Sequence, residues 1–344
     1  MAYIHAVETY TPEHCLDNEM LASEFPEWGV DKIFKKTGIE SRYIAHTDES
    51  CLDMAVDACE RLFLNHNIDR ETIDFVLLCT QSPDYFLPTT ACLLQDKLGL
   101  KKSVGALDYN LGCSGYIYGL SLAQALIQSK QALNILLVTT EQYSKYINKN
   151  DKSVRTLFGD AATATLISCN EQRDNQIGSF VFGTDGSGGE SLIVPHGANR
   201  NPITDASYIE LEDSSKNIRS PKDLYMNGSE VFTFTLTTVP KVVKETLMKA
   251  GLSKSDINYV IFHQANKFML DILQKNCGFT DEQFLRSYQK YGNTVSNTIP
   301  IGLYEANKEA KLKTGDKILL VGFGVGLSWG ATVVEWQEVV NSES

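Results

Sequence analysis

The feature that most restricts the fold of this 344-residue chain is an internal repeat. Segments Ile68–Val76 and Leu252–Val260 share one pattern of apolar and polar residues and lie 184 positions apart. Asn134–Val138 and Lys317–Val321 both contain the run Ile-Leu-Leu-Val and lie 183 positions apart. Because a long-period self-match indicates a duplicated structural unit, the chain is predicted to contain two related halves.

Each copy of the repeat has the order helix, strand, helix, strand. An amphipathic helix is predicted near Leu52–Leu64 in the first copy and near Val239–Ala250 in the second. Continuous apolar strands that alternate with helices are typical of sheets covered on both faces. The sequence therefore predicts an α/β protein with five layers, α/β/α/β/α, built from duplicated halves at residues 1–170 and 171–344.

Two segments interrupt this alternation. Residues 186–227 are rich in Gly, Ser, Asn and Pro, and are predicted to form a loop insertion of the C-terminal half, a cap or flexible loop between the two repeated units. The uncharged run Ile318–Val334 approaches the length of a membrane span. Because it contains four glycines, a strand–loop–strand explains it better, and no membrane span is predicted.

Composition excludes several classes of protein. The net charge of −12 argues against nucleic acid as a partner and against attraction to anionic membranes. The eight cysteines are scattered without a CxxC pair or zinc spacing, so no metal site is predicted and the thiols are expected to be reduced. Because residues 1–8 lack the features of an export signal, a cytoplasmic location is predicted.

Cys113 differs from the other cysteines in its surroundings. An apolar strand at Val104–Asp108 leads to it, Gly112 and Gly115 flank it, and a helix-like run follows. The start of a helix offers free N–H groups and a positive dipole end, which favour a thiolate. On its own, such a cysteine could equally be a small buried core residue.

Two polar residues of the second half are candidate partners for Cys113. His263 follows a predicted strand and aligns, through the repeat, with Cys79 at the equivalent strand end, while Asn293 lies in Tyr-Gly-Asn-Thr. Alone, the histidine could be structural and the asparagine a turn residue. Because ligands of layered α/β proteins gather at strand ends, the three residues together predict a Cys/His/Asn catalytic site.

Nine short motifs occur in a fixed order along the chain. They are Lys36–Ile39 with Arg42 nearby, Phe86–Cys92, Gly112–Gly115, Phe158–Ala162, Gly183–Gly186, Met226–Phe232, His263–Asn266, Tyr291–Thr294 and Gly322–Gly330. Over nearly its whole length the chain thereby resembles the thiolase-fold condensing enzymes, most closely the β-ketoacyl-acyl carrier protein (ACP) synthase III family. Thiolases carry a second reactive cysteine in the last motif, which has none here.

The resemblance implies a thiolase-like fold and a decarboxylative Claisen condensation. Cys113 would accept an acyl group from an acyl-CoA or acyl-ACP, since a thiolate is a strong nucleophile and its thioester stays reactive. Condensation with malonyl-ACP would give a 3-oxoacyl-ACP. No cofactor is implied beyond the coenzyme A or phosphopantetheine thioesters themselves, and the expected partners are ACP and a second copy of the chain.

Loss of carbon dioxide from a malonyl group leaves an enolate, whose negative oxygen needs N–H donors. The Nε2 atom of His263 and the Nδ2 atom of Asn293 are the predicted donors. By resemblance, the backbone N–H groups of Cys113 and Val325 would form the oxyanion hole for the acyl-transfer steps.

Positions that bind coenzyme A in the resembling enzymes differ in this chain. Lys32 replaces a tryptophan, while Lys36 and Lys152 replace arginines. Phe268, with Lys267 beside it, replaces a further arginine. Because lysine lacks the planar fork of arginine, recognition of coenzyme A is expected to be altered, and ACP is an alternative donor of the first acyl group.

Leu87 replaces the aromatic residue that a neighbouring subunit of the resembling enzymes inserts at the acyl pocket, so a different acyl chain is an open possibility. Three alternatives to fatty-acid initiation stay open. They are a specialised pathway to a glycan or secondary metabolite, acyl transfer to an alcohol or amine without decarboxylation, and a non-catalytic partner subunit. Nicotinamide binding at Gly322–Gly330 is disfavoured, because a strand rather than a helix is predicted to follow.

Overall fold

The computed structural model describes residues 2–170 and 176–337. The predicted boundary at 170 and 171 touches residues 171–175, which lie outside the described residues, so the exact division of the halves stays a prediction.

The strands are β1 Ala2–Tyr10, β2 His14–Asp17, β3 Ser41–Ile44, β4 Phe75–Cys79, β5 Gly105–Tyr109, β6 Asn134–Glu141, β7 Ala161–Cys169, β8 Val181–Thr184, β9 Leu192–Ile193, β10 Leu211–Glu212, β11 Ile218–Arg219, β12 Tyr225–Met226, β13 Tyr259–Phe262, β14 Lys317–Gly324 and β15 Ser328–Glu335. The α-helices are α1 Asn18–Glu24, α2 Val30–Thr37, α3 Cys51–Asn65, α4 Thr90–Lys97, α5 Gly115–Gln128, α6 Lys152–Arg155, α7 Gly228–Ala250, α8 Lys267–Cys277, α9 Tyr288–Tyr291 and α10 Thr298–Lys308.

Two central sheets have matching strand orders. The first has the order β1-β7-β6-β4-β5 and the second has the order β8-β15-β14-β13. Strands β6 and β7 are antiparallel in the first sheet, as β14 and β15 are in the second. Strand β4 runs parallel to β6, and β13 runs parallel to β14. In the first sheet, β5 pairs in parallel with β4. At the corresponding place in the second sheet there is an isolated parallel bridge between Val260 and Phe284.

The repeat seen in the sequence corresponds to equivalent elements of the fold. Strands β6 and β14 begin 183 positions apart, at Asn134 and Lys317, and helices α5 and α10 begin 183 positions apart, at Gly115 and Thr298. The duplication predicted from the sequence is therefore confirmed.

Apolar side chains on both faces of each sheet produce the layers. Along β6, Ile135 and Leu137 pack into a core that also contains residues of α5 and α10, whereas Leu136 and Val138 pack on the opposite side with α3 and α4. A third core joins the other face of the second sheet to α7 and α8. Helices α5 and α10 thus lie between the sheets, and the predicted five-layered architecture is confirmed.

The Gly/Ser-rich insertion at 186–227 follows β8, which already belongs to the second sheet. It therefore lies inside the second unit, within the predicted C-terminal half, and not between the two repeated units. The insertion contains β9 to β12, and Arg219 ties it to the body through an ion pair with Asp151 (2.7 Å). Within the insertion, Arg219 also pairs with Asp213 (2.8 Å). The run Ile318–Val334 forms the antiparallel pair β14–β15, and no helix within the described ranges is long and apolar enough to cross a membrane.

Candidate active site

Cys113 lies in the short turn between β5 and α5, against the Gly-rich end of β14. A Cβ atom added to Gly324 would come within 2.7 Å of the Cys113 sulfur, and one added to Gly322 would come within 2.7 Å of its carbonyl oxygen. Glycine is required at both positions because the backbone of β14 approaches the cysteine so closely. The two halves thus meet at the sulfur atom.

Burial controls the protonation of the Cys113 thiol. The residue is 4% exposed, and burial raises its pKa to about 12, although the backbone N–H groups of Val325 and Cys113 itself act in the opposite direction. The helix start was predicted to favour a thiolate, and in the structure desolvation of the buried sulfur opposes that effect of the amides. The amides that act on the sulfur are those of Val325 and Cys113, the two groups named for the oxyanion hole, and the oxyanion hole itself stays a prediction.

His263 follows β13 and is held on three sides. Its backbone N–H donates to the Val321 carbonyl (2.8 Å), its Nδ1 lies 2.8 Å from the Thr298 hydroxyl, and its ring meets Phe323 edge-on at 5.5 Å. The residue is 3% exposed, and burial lowers the pKa of the imidazole to about 3. The ring is consequently neutral near pH 7.

Asn293 has a fixed backbone and a fixed amide. Its N–H donates to the Leu157 carbonyl (2.8 Å) and its carbonyl accepts from Gly159 (3.1 Å). The side-chain Oδ1 accepts from the N–H of Val295 (2.9 Å), so Nδ2 is the atom turned away from that contact. Val295 has a φ of +57°, an unusual value for a β-branched residue, which marks local strain beside the site.

A cavity of about 330 Å³, here called the Cys113 cavity, is lined by Cys113, His263 and Asn293 together. The structure therefore brings the three predicted catalytic residues to one space. Most other lining side chains are apolar, namely Leu157, Phe158, Leu192, Met226, Val231, Phe232, Ala265, Phe268, Met269 and Phe323. In such surroundings an N–H donor stabilises a developing negative charge more strongly than it would in water.

A second cavity of about 780 Å³, here called the Gln81 cavity, reaches the segment just before the cysteine. Gln81 and Val325 line it, and both lie against Gly112, where an added Cβ would come within 2.5 Å of each. Its wall also includes Tyr143 and Tyr146. Two separate cavities, the Cys113 cavity and the Gln81 cavity, thus border the turn that contains Cys113.

The predicted coenzyme A positions on α2 surround an aromatic residue that sequence reasoning missed. The Nζ atoms of Lys36 and Lys32 lie 4.3 Å and 5.4 Å from the centre of the Trp28 ring. Lys32 and Lys36 are four positions apart on one face of α2, and Trp28 lies just before the N-cap residue Gly29. The occurrence of Trp28 four residues before Lys32 was the available signal for an aromatic group near the position where the resembling enzymes have a tryptophan.

Lys152 lies apart from both cavities. Its side chain is 7% exposed, and its Nζ contacts Glu27 (2.9 Å) and the Lys216 carbonyl (2.9 Å). These internal partners occupy the ammonium group.

The remaining predicted substrate positions differ in their surroundings. Phe268 lines the Cys113 cavity and stacks on Phe232 with ring centres 5.3 Å apart. Lys267 beside it is ion-paired with Asp271. Leu87 is 82% exposed, and its neighbour Phe86 lines the Gln81 cavity.

Glu141 is a buried carboxyl that sequence reasoning missed. It ends β6 at the position equivalent, 183 residues earlier, to Gly324. Its oxygens accept from the Gln81 backbone N–H (3.0 Å) and the Ser296 hydroxyl (2.8 Å), and burial raises its pKa to about 8. Through these hydrogen bonds, Glu141 connects Gln81 to the loop that contains Asn293. Near pH 7 the carboxyl is mostly protonated.

Replacing Glu141 by glutamine should remove part of the pH dependence of stability. The folded state keeps this proton up to about pH 8, whereas the unfolded chain loses it near the ordinary value of 4.5. Between these values the group lowers the free energy of unfolding of the wild type by about 1.4 kcal/mol per pH unit. Urea unfolding from pH 5 to pH 8 should show a shallower fall for Glu141→Gln, and the exposed control Glu245→Gln should behave as wild type. Equal slopes in all three proteins would contradict the burial of a protonated carboxyl.

A cysteine, a histidine and an asparagine that line one apolar cavity are suited to an acyl-transferring enzyme, and comparisons with known proteins give that class. The family model for 3-oxoacyl-ACP synthase III matches residues 107–186, and the model for its C-terminal part matches residues 247–336. The β-ketoacyl-ACP synthase III of Clostridium perfringens is 39% identical over 326 residues, which cover 95% of this chain and 96% of that protein. The enzyme of the same name from Lactococcus lactis is 36% identical over 337 residues, covering 97% and 98%.

Solved structures give the same result. A 3-oxoacyl-ACP synthase III at 2.1 Å is 45% identical with a TM-score of 0.96, covering 97% of this chain and 99% of its own. A 3-oxoacyl-ACP synthase from Burkholderia xenovorans is 36% identical with a TM-score of 0.90, covering 99% and 95%. The chain belongs to the β-ketoacyl-ACP synthase III family, and the predicted thiolase fold is confirmed.

Proposed function

We propose that this chain joins an acyl thioester to malonyl-ACP by decarboxylative Claisen condensation, giving a 3-oxoacyl-ACP. Cys113 takes the acyl group from an acyl-CoA or acyl-ACP and holds it as a thioester. The observation that carries this proposal is the single cavity lined by Cys113, His263 and Asn293. These side chains supply the nucleophile and the two N–H donors that the half-reactions need, so no cofactor beyond the thioester substrates enters the proposal.

The two cavities suit two substrates. The Gln81 cavity suits the acyl chain, since Tyr143, Tyr146 and Leu224 give it an apolar wall close to the nucleophile. The Cys113 cavity suits the malonyl thioester, because Asn293 Nδ2 and His263 lie on its wall. Burial of the enolate oxygen among apolar side chains strengthens these polar contacts.

ACP is the proposed carrier of the malonyl group, and a cationic face near Phe268 is its proposed docking site. Lys32 and Lys36 are exposed on α2, and the end of this helix packs on Lys267, where a Cβ on Gly38 would meet the Lys267 side chain. A local positive face is needed for an acidic carrier because the whole chain carries a charge of −12.

A homodimer is also proposed. Phe86 and Leu87 are 86% and 82% exposed, which is a large apolar exposure for one loop tip, and a second copy would cover it. A cytoplasmic location is proposed because all eight cysteines are free thiols. Sedimentation of the intact protein measures the first of these expectations.

The reaction is tested with a panel of acyl-CoAs and acyl-ACPs of increasing chain length, each offered with malonyl-ACP. We expect release of carbon dioxide in step with a product longer by two carbons, and the preferred donor identifies both the carrier and the chain length. Omission of the acyl donor is the control for uncoupled decarboxylation. Acyl transfer to an added alcohol or amine without carbon dioxide would overturn the condensation and favour the alternative acyltransferase.

A further inference from the structure

Gln81 is held from four directions at the wall of the Gln81 cavity. Its backbone N–H donates to the Glu141 carboxyl (3.0 Å), and its carbonyl accepts from the Tyr146 hydroxyl (3.1 Å). In its side chain, Oε1 accepts from the Tyr143 hydroxyl, and Nε2 donates to Oδ1 of Asn110 (3.1 Å). Because both the backbone and the amide are bonded, the side chain has a fixed position beside the cavity.

The Tyr143 hydroxyl decides which end of this amide faces Asn110. Tyr143 is 4% exposed, so its hydroxyl hydrogen needs an acceptor inside the protein, and Oε1 of Gln81 is the acceptor that it contacts. The Nε2 group of Gln81 must then face Asn110, where Oδ1 is the atom that can accept. The Nδ2 group of Asn110 is consequently left for another partner.

This pair of amides has three N–H hydrogens to spare. A carboxamide nitrogen carries two hydrogens, and Gln81 uses one of its two on Asn110. Across residues 2–170 and 176–337, neither Nε2 of Gln81 nor Nδ2 of Asn110 donates to any further acceptor. Since both residues line the Gln81 cavity, its wall presents a group of N–H donors that the protein itself does not satisfy.

The donors lie at the end of the cavity nearest the nucleophile. Asn110 precedes Cys113 by three residues, and a Cβ added to Gly112 would come within 2.5 Å of Oε1 of Gln81. Farther along, the apolar residues 192–194 form part of the wall. An acyl group that is bonded to Cys113 and enters this cavity would therefore meet the amides with its first carbons.

We propose that Gln81 and Asn110 are specificity-determining residues, which select an acyl group that carries an oxygen, as a hydroxyl or an oxo group, near its thioester end. An unsubstituted chain would displace water from the amides without replacing the lost hydrogen bonds, whereas an oxygen on one of the first carbons accepts from them. The inference rests on the proposed function, because it specifies the acyl donor of that reaction.

The step at which this selection acts is the transfer of the acyl group to Cys113. The bond between the acyl carbon and the sulfur of the carrier breaks, and a bond between that carbon and Sγ of Cys113 forms. The proton of the Cys113 thiol leaves with the carrier thiol, so the products are the acylated protein and the free carrier. The additional oxygen of the acyl group is unchanged and contributes through binding alone.

The test measures competition between two acyl donors for Cys113, by intact mass and without malonyl-ACP. The donors of each pair have the same carrier, coenzyme A or ACP, and the same length of four, six or eight carbons. One is unsubstituted and the other bears a 3-oxo group or a 3-hydroxy group of either hand. We expect the wild type to favour an oxygen-bearing donor by about 10²-fold in at least one pair, less than for a fully enclosed site because Asn110 is exposed.

Two variants remove the donors, and a third is their control. Asn110→Leu keeps the approximate size of the side chain and should reduce the preference to about threefold or less, mainly by slowing the oxygen-bearing donor. Gln81→Met should reduce it in the same way. The control Asn307→Leu replaces an exposed asparagine of α10 that lies outside the Gln81 cavity, and it should keep the preference of the wild type.

A wild type that prefers no oxygen-bearing donor by more than about threefold would overturn the inference, as would a preference that Asn110→Leu leaves unchanged. If Gln81→Met does not fold, because the Tyr143 hydroxyl loses its acceptor, Asn110→Leu still decides, since its side chain is exposed. Failure of the proposed function appears differently. An acyl adduct with the expected preference, but without carbon dioxide once malonyl-ACP is added, would exclude the condensation alone, whereas no adduct from any donor would exclude both.

Discussion

Cys113→Ala is expected to abolish the covalent acyl intermediate and to lower condensation by roughly a thousandfold or more, because the nucleophile is removed. Incubation of the wild type with its preferred acyl donor should add one acyl mass to the intact protein, and the variant should show none. The fold should tolerate the change, since Ala removes one sulfur atom from a buried position lined by glycine backbone.

Cys59→Ala is the matched control. Cys59 is a fully buried thiol in the outer core of the first half, with a pKa raised by burial as for Cys113, but it lies outside both cavities. This variant should acylate as the wild type does. An acyl adduct of undiminished yield on Cys113→Ala would refute the assignment of the nucleophile.

Asn293→Asp is expected to separate the two half-reactions. The aspartate keeps an oxygen for the Val295 N–H, so the strained loop retains its contact, but it loses the Nδ2 donor and places negative charge beside the enolate. Loss of one such donor lowers the rate by about 10²–10³-fold, and the added charge increases the effect. Acylation of Cys113 should continue, while release of carbon dioxide from malonyl-ACP should fall by at least that factor.

Single-turnover measurements test this separation. The acyl adduct is formed first, malonyl-ACP is added, and decay of the adduct is followed together with carbon dioxide. Asn293→Ala, which also loses the Val295 contact, should lose the same step and in addition unfold at a lower denaturant concentration. Normal decarboxylation by Asn293→Asp would exclude Nδ2 as a donor to the enolate.

Local sequence patterns were sufficient to predict the architecture. The matching positions of β6 and β14, and of α5 and α10, follow from a 183-residue repeat whose apolar strands had to be covered on both faces. The insertion at 186–227 was recognised by composition, but the short strand β8 before it has a weak periodic signal. Only its pairing with β15 shows that it belongs to the second sheet.

Protonation states were beyond the reach of the sequence. Cys113 stands at a helix start, which by itself favours a thiolate, yet its burial raises the pKa to about 12. The pKa of Glu141 near 8 has the same cause, and nothing in the residues around position 141 indicates it. Desolvation depends on every neighbour that excludes water, and these neighbours come from distant parts of the chain.

By itself, the sequence determined the duplicated α/β/α/β/α fold, the family and the three polar residues of the candidate site, because each depends on residue type and on spacing along the chain. The tertiary structure alone decided that Cys113, His263 and Asn293 share one cavity, that Trp28 lies beside Lys32 and Lys36, and that Thr298 contacts the imidazole. Hydrogen-bond partners and burial arise only when strand ends and helix starts from both halves pack together.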